Sequence, residues 1–215
     1  MIVAGGSGTR MQSELPKQFI KLKGEPILMH TIRAFSFDGI KVIVVLPKSQ
    51  IVFWKELCQK QAFFLEHKVV EGGKTRFESV KSGLKSIEAN EGLVAIHDGV
   101  RPIIKKEIIN SSFLYAEKNG NAIVSVPLKD SIREINESQN EHKDRNKYRL
   151  IQTPQTFQLQ LIRSAFEVDY KTHFTDDASV LEYAGNKINL IDGDYRNIKI
   201  TTPEDLIVAE SFLEA

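Results

Sequence analysis

Near its start the chain places three glycines and two cations where a phosphate chain could be held. Ile2-Val3-Ala4 is a short apolar stretch that runs straight into Gly5, Gly6 and Gly8, and Arg10 and Lys17 follow. Glycine leaves backbone N–H groups uncovered, so such a loop can turn inward and wrap phosphate oxygens. Cations held beside it neutralise the charge that builds up when a phosphoryl group is attacked. The pairing predicts an enzyme of nucleoside triphosphates, not merely a nucleotide binder. The same glycines would also serve a plain strand-to-helix turn. Arg10 and Lys17, with Pro16-Lys17-Gln18 set between apolar segments, favour the phosphate reading.

Two familiar phosphate motifs fail here. The dinucleotide fingerprint G-x-G-x-x-G fits Gly6 and Gly8, but its third position is Met11. Gly73-Lys74-Thr75 looks like the end of a Walker loop, yet the glycine required five residues earlier is Lys68. The apolar stretch before Gly5 is also short, so either translation starts late or residues ahead of Met1 are missing.

Composition narrows the class. A length of 215 residues suits one sizeable α/β domain spanning 1–215. A net charge of +1 with 27% charged residues demands neither nucleic acid nor an anionic membrane as partner. Cys58 is the one cysteine, which excludes an internal disulfide and a multi-cysteine zinc site. His30, His67, His97, His142 and His173 show no metal-ligand spacing. With no apolar run of membrane-spanning length and no signal peptide, the sequence reads as a cytoplasmic protein.

Strand-like and helix-like segments alternate behind these residues. Ile40 to Leu46 is β-branched and stops at Pro47; Lys68-Val69-Val70, Leu93 to Asp98 and Ala122 to Val126 are further strands. Helical spacing runs through 49–62, through Phe77, Val80, Leu84 and Ile87, and near 105–118. This order predicts a doubly wound, mostly parallel sheet covered on both faces. Ligands of such sheets sit at the carboxyl ends of the strands. Gly5 to Arg10, Gly72 to Arg76, Asp98 to Arg101 and Lys129 to Ser131 all fall there, which points to one shared site.

The alternation breaks over about 127–152. Glu134 to Lys147 is polar, with Asn136, Asn140 and Asn146 as turn formers, and by composition it favours a loop over an arm. The flanks 130–135 and 148–152 alternate like the legs of a hairpin, a form that could reach across a dimer.

Five motifs, taken in order, resemble one family. They are Ala4 to Met11 with Pro16-Lys17-Gln18-Phe19; Glu71-Gly72-Gly73 with Arg76 and Ser79; and His97-Asp98-Gly99-Val100-Arg101-Pro102. Gln152-Thr153-Pro154-Gln155-Thr156-Phe157 is the fourth, and Phe174 to Ser179 with Asn197 to Leu206 the fifth. Together they resemble the 2-C-methyl-D-erythritol 4-phosphate cytidylyltransferases of the non-mevalonate isoprenoid pathway. The likeness runs from end to end. It implies the nucleotidyltransferase version of the doubly wound sheet, with a protruding β-arm that builds a homodimer.

The resemblance also implies roles. The loop of Ala4, Gly5, Gly6 and Gly8 would cradle the CTP phosphates, with Arg10, Lys17 and Lys199 as catalytic cations around the α-phosphorus. Gly72, Gly73 and Ser79 match the cytosine region; Asp98 matches a position near the ribose and metal; Gly99, Arg76 and Arg101 belong to the same nucleotide shell. Ser131, Arg145, Thr153 and Thr175 match the methylerythritol phosphate pocket, Arg145 coming from the other subunit's arm. A divalent cation, Mg2+ first, would bridge the triphosphate oxygens. Read without the family, Asp98, Thr153 and Thr175 could each be a helix cap, Arg145 a solvated charge and Ser79 an ordinary helix residue.

Three positions depart from the family pattern. Ser131 stands for threonine and keeps the hydroxyl, Lys74 occupies an often acidic position and receives no role, and Gly99 replaces alanine in what should be a neutral exchange. Ribitol 5-phosphate cytidylyltransferases share several of these motifs; the Thr175 to Glu182 stretch and Asp144-Arg145-Asn146 favour the isoprenoid family. A catalytically dead nucleotide sensor is the reading from another class, and the presence of Arg10, Lys17 and Lys199 together argues against it.

Overall fold

The computed structural model describes residues 1–5, 11, 13 and 15–214. From the amino end come β1 (Ile2–Val3), a small hairpin of β2 (Lys21–Leu22) and β3 (Glu25–Pro26), and α1 (Ile27–Phe35). Then follow β4 (Ile43–Leu46), α2 (Lys48–Lys60), β5 (Lys68–Glu71), α3 (Arg76–Lys85) and β6 (Leu93–Asp98). The second half holds α4 (Lys106–Asn119), β7 (Asn121–Pro127), a hairpin of β8 (Ile132–Asn136) and β9 (Gln139–Lys143), and β10 (Arg149–Gln158). It ends with α5 (Leu159–Ala165), α6 (Asp177–Tyr183), β11 (Leu190–Asp192) and α7 (Pro203–Glu214).

The main sheet has the order β11-β7-β10-β6-β1-β4-β5. Its pairings are parallel except where β10 lies antiparallel between β6 and β7. Successive side chains of a strand leave opposite faces, and the core divides accordingly. Val3 and Val45 join a cluster with α3, α5 and α6, whereas Ile2, Val44 and Leu46 join one with α1, α2 and α4. Sheets buried on both faces read as continuous apolar runs, as β4 does. A third cluster gathers Leu22, Ile27, Val100, Ile200 and Ala209 beneath α7.

Local signals explain most boundaries. Thr75 caps α3 in a reciprocal capping box with Glu78, and Phe77, Val80 and Leu84 form its buried stripe. The apolar run from Ile40 becomes strand only at Ile43, because the turn at Asp38-Gly39 (Gly39 φ 84°) ties the Ile40 N–H to Phe37 O.

Two expectations for 127–152 need correction. Glu134 to Lys147 is not a loop: β8 and β9 pair through it, with Asn136 opposite Gln139, and a 3-10 turn follows at Arg145–Lys147. The 148–152 segment is not the hairpin's second leg. It opens β10, where Leu150 pairs with Val126 and Ile151 with Ser125. The central sheet offers Leu150 and Ile151 a longer ladder than the polar 130–135 segment could.

Candidate active site

The carboxyl ends of β1, β5 and β6 open into one cavity, lined among the described residues by Ala4, Gly5, Lys17, Gln18 and Gly73 to Arg76. Ser79, Asp98, Val100 and Lys199 complete that lining. Three of the four clusters read from sequence therefore meet. The fourth, Lys129 to Ser131, stays apart, with Ser131 exposed at the foot of the β8–β9 hairpin. Four described lining residues are cations (Lys17, Lys74, Arg76, Lys199) against one carboxylate, Asp98. Such a balance suits a polyanion.

Asp98, the last residue of β6, organises the charge. Lys199 Nζ lies 3.0 Å from its Oδ2, Arg101 Nε 3.4 Å from the same oxygen, and Arg76 Nε 3.7 Å from Oδ1. Burial works against its charge, but Arg76, Lys199 and Arg101 together hold its pKa well below the usual carboxylate range. Asp98 is an ionised hub, not a helix cap.

Arg76 is itself aimed from behind. Its two terminal nitrogens donate to both oxygens of Asp177, each at 2.7 Å. Asp177 is buried at the start of α6, so burial pushes its pKa up while Arg76 draws it back. A bidentate fork of this kind sets the guanidinium plane as well as its position. Arg101 is braced through Asn197: its carbonyl accepts from Arg101 Nη1 at 2.7 Å, and its amide donates to Thr153 O at 2.8 Å.

Beneath Asp98 runs a directional chain of hydrogen bonds. The Asp98 N–H donates to Thr153 Oγ1 at 3.0 Å. The Arg101 carbonyl can only accept, so Nε2–H of His97 donates to it at 3.0 Å, and in the neutral ring Nδ1 then accepts from the Thr153 hydroxyl at 3.0 Å. The neutral ring in this tautomer gives each contact one donor and one acceptor. Burial agrees, lowering the His97 pKa from 6.5 to about 4. The unfolded chain then binds a proton between those values that the folded chain refuses, so stability is full above pH 6.5 and falls as pH drops toward 4. The loss expected from this group is about 3 kcal/mol. Urea unfolding at pH 7 and pH 4.5 should show it in the native chain and a smaller difference in His97→Gln; equal differences would rule His97 out as its source.

The other expected site residues divide. Ala4, Gly5, Gly73 and Ser79 line the cavity. Gly6, Gly8 and Arg10 lie outside the described residues. Gly72 and Gly73 are needed, but against their own chain. A Cβ on Gly72 would stand 2.8 Å from Ser79 Oγ, and one on Gly73 2.2 Å from Glu78 Cβ. Gly99 is not the neutral exchange it looked to be, since a Cβ there would meet Ala4 Cβ at 2.8 Å. Thr153 caps nothing, being a buried residue of β10 at a shift in the β7 register. Thr175 is exposed and also caps nothing, because Asp176 caps α6 with Ser179. Arg145 sits in the exposed turn after β9 and donates to Lys129 O of its own chain. None of Ser131, Arg145, Thr153 and Thr175 lines the cavity. Sequence reasoning passed over Gln18, His97 and Asp177, and it gave Lys74, which lines the cavity, no role.

Comparison with known proteins agrees with this architecture. A family profile described as IspD, 2-C-methyl-D-erythritol 4-phosphate cytidylyltransferase, matches residues 1–215. The chain is similar to the proteins of that name from Bacteroides thetaiotaomicron (45% identical; 99% of this chain, 98% of that protein) and Clostridioides difficile (40%; 99% and 92%). Among solved structures it is similar to the 4-diphosphocytidyl-2C-methyl-D-erythritol synthase of Anaerococcus prevotii. The TM-score there is 0.84 at 31% identity, covering 100% of this chain and 94% of the other. The Thermus thermophilus cytidylyltransferase gives 0.80 at 27%, covering 100% and 98%.

Proposed function

The chain belongs to the 2-C-methyl-D-erythritol 4-phosphate cytidylyltransferase family, and from that premise we propose that the family's reaction takes place in the cavity around Asp98. The activity is that of a nucleotidyltransferase of isoprenoid biosynthesis: CMP passes from CTP to 2-C-methyl-D-erythritol 4-phosphate, giving 4-diphosphocytidyl-2-C-methyl-D-erythritol and pyrophosphate. The observation that carries the placement is the ring of Lys17, Lys74, Arg76 and Lys199 at the glycine-rich end of β1.

A phosphate oxygen of the acceptor forms the new bond to the α-phosphorus of CTP. The bond from that phosphorus to the bridging oxygen breaks, and its electrons leave with pyrophosphate. No proton need move, because the attacking phosphate is already ionised. Catalysis then reduces to alignment and charge stabilisation, which Lys17, Lys199 and Arg10 are suited to give. The loop of Ala4, Gly5, Gly6 and Gly8 would cradle the phosphates. Gly72, Gly73 and Ser79 frame the base, while Asp98, Gly99, Arg76 and Arg101 form the ribose and phosphate shell. Ser131, Thr153, Thr175 and the arm's Arg145 serve the acceptor.

Among the described residues no group of three or more His, Cys, Asp or Glu is placed to hold a metal ion. Mg2+ still fits, because it takes one or two carboxylates from the protein and the rest of its oxygens from substrate phosphates and water. Asp98, ionised at the cavity wall, would be that carboxylate. A divalent cation held there would supply positive charge to the triphosphate and so favour the departure of pyrophosphate.

The chain works as one domain over 1–215 and pairs with a second copy through its arm. Ile135, on the β8–β9 hairpin, is 82% exposed, and a two-stranded hairpin alone is marginal in water. A partner subunit would cover it. No described helix is long and apolar enough to cross a membrane; the cytoplasm, where CTP is made, is the fitting location. Pyrophosphate release measured with CTP, Mg2+ and each polyol phosphate tests the assignment. Methylerythritol phosphate should give the higher kcat/KM; preference for ribitol 5-phosphate would overturn the acceptor, and silence with both would overturn the activity.

A further inference from the structure

Gln18 occupies the middle of the 3-10 turn Lys17–Phe19 and is wholly buried. Its amide nitrogen donates to Ala4 O at 2.8 Å and to Gln50 Oε1 at 2.6 Å. A side-chain amide has two N–H hydrogens, so both are committed and the group cannot turn without losing one. Ala4 directly follows β1, just where the glycine run begins. Gln50 lies in the first turn of α2 and is not part of the cavity lining. Phe19 adds a second fastening: it stacks on Trp54 of α2 at 5.9 Å and meets Phe53 at 5.1 Å. The turn that presents Lys17 is therefore fastened to the phosphate-loop backbone by Gln18 and to α2 by Gln50 and Phe19.

We propose that Gln50 is a positioning residue for cytidylyl transfer, whose side-chain oxygen keeps the Gln18 amide on the Ala4 carbonyl and so sets where Lys17 enters the cavity. The inference rests on the reading of Lys17 as a catalytic cation. A lysine ammonium is a point charge on a flexible stem, so the backbone beneath it decides how well it meets a developing charge. Misplacement by about 1 Å can lower a rate a hundredfold. Gln50 is not part of the cavity lining; its influence passes through Gln18.

Gln50→Met removes the acceptor at similar length, and Gln50→Glu keeps it. In Gln50→Met kcat should fall about tenfold or more, with KM for CTP little changed. The Phe19 and Ile20 amides, which donate to Pro16 O and Lys17 O, should exchange hydrogen faster at an unchanged Tm. Gln50→Glu should restore most of kcat and the slow exchange. Gln50→Met with normal kcat, beside a Lys17→Ala variant that is strongly impaired, would overturn the proposal while leaving the cavity reading intact. Equal impairment of both Gln50 variants would also overturn it, by reducing Gln50 to a packing residue. If Lys17→Ala itself turned over normally, the cavity reading would fall and this proposal with it.

Discussion

Lys17→Ala and Lys199→Ala should each lower kcat by roughly a hundredfold or more, the scale seen when one preorganised charge-stabilising group is deleted. The two lysines approach the cavity from different elements. Lys17 comes from the turn after the glycine run, whereas Lys199 comes from the segment before α7 and lies 3.0 Å from Asp98. An ammonium that meets charge mainly in the transition state affects kcat more than KM. Neither change should unfold the protein. Lys199 keeps 42% of its side chain exposed, and neither lysine belongs to a hydrophobic cluster. Steady-state kinetics with CTP varied, beside thermal melts of both variants, makes the comparison. A Lys17→Ala variant with near-normal kcat and only a raised KM would mean that Lys17 binds ground state and transition state alike. The two deletions should also combine by less than their product, since both act on one charge.

What could be read from sequence followed the range over which each signal acts. The β-branched runs of β4 and β6 and the stripe Phe77, Val80, Leu84 of α3 are local, and they placed the sheet, its helices and the strand ends where ligands bind. Glycine positions and cations near β1 were legible for the same reason. The support around them was not. Arg76 and Asp177 stand 101 residues apart in the chain, and nothing near either announces a bidentate pair. Gln18 and Gln50 meet only because β1 and β4 lie side by side with α2 following β4. His97 carried no ligand spacing, and its contact with Thr153 exists only because β10 pairing with β6 brings Thr153 under Asp98. Competing local signals produced the remaining errors. Thr175 and Asp176 both suit a helix cap, and Ser179, three residues after Asp176, completes the box. The 148–152 segment alternates as either a hairpin leg or a sheet strand would, and only the neighbouring β7 decides between them.

Subunit mixing should show that Arg145 acts on the partner's substrate. None of Ser131, Arg145, Thr153 and Thr175 lines the cavity of a single chain, whereas the proposed reaction brings the acceptor phosphate to the α-phosphorus in that cavity. Arg145 stands at the base of an exposed hairpin, where its guanidinium donates to Lys129 O. Arginine suits reach from a neighbouring subunit, because its planar fork grips phosphate in two places and stays charged. Arg145→Ala and Lys17→Ala homodimers should each be nearly inactive. Once exchanged, a mixed dimer carries one site with both defects and one with neither. With about half of all dimers mixed and one sound site in each, activity should recover to roughly a quarter of the native level. Exchange is verified separately by mass-tagged subunits and native mass spectrometry. Mixed dimers seen in that spectrum without recovered turnover would place Arg145 in its own subunit's site, and the hairpin would then need a different reason to stand exposed.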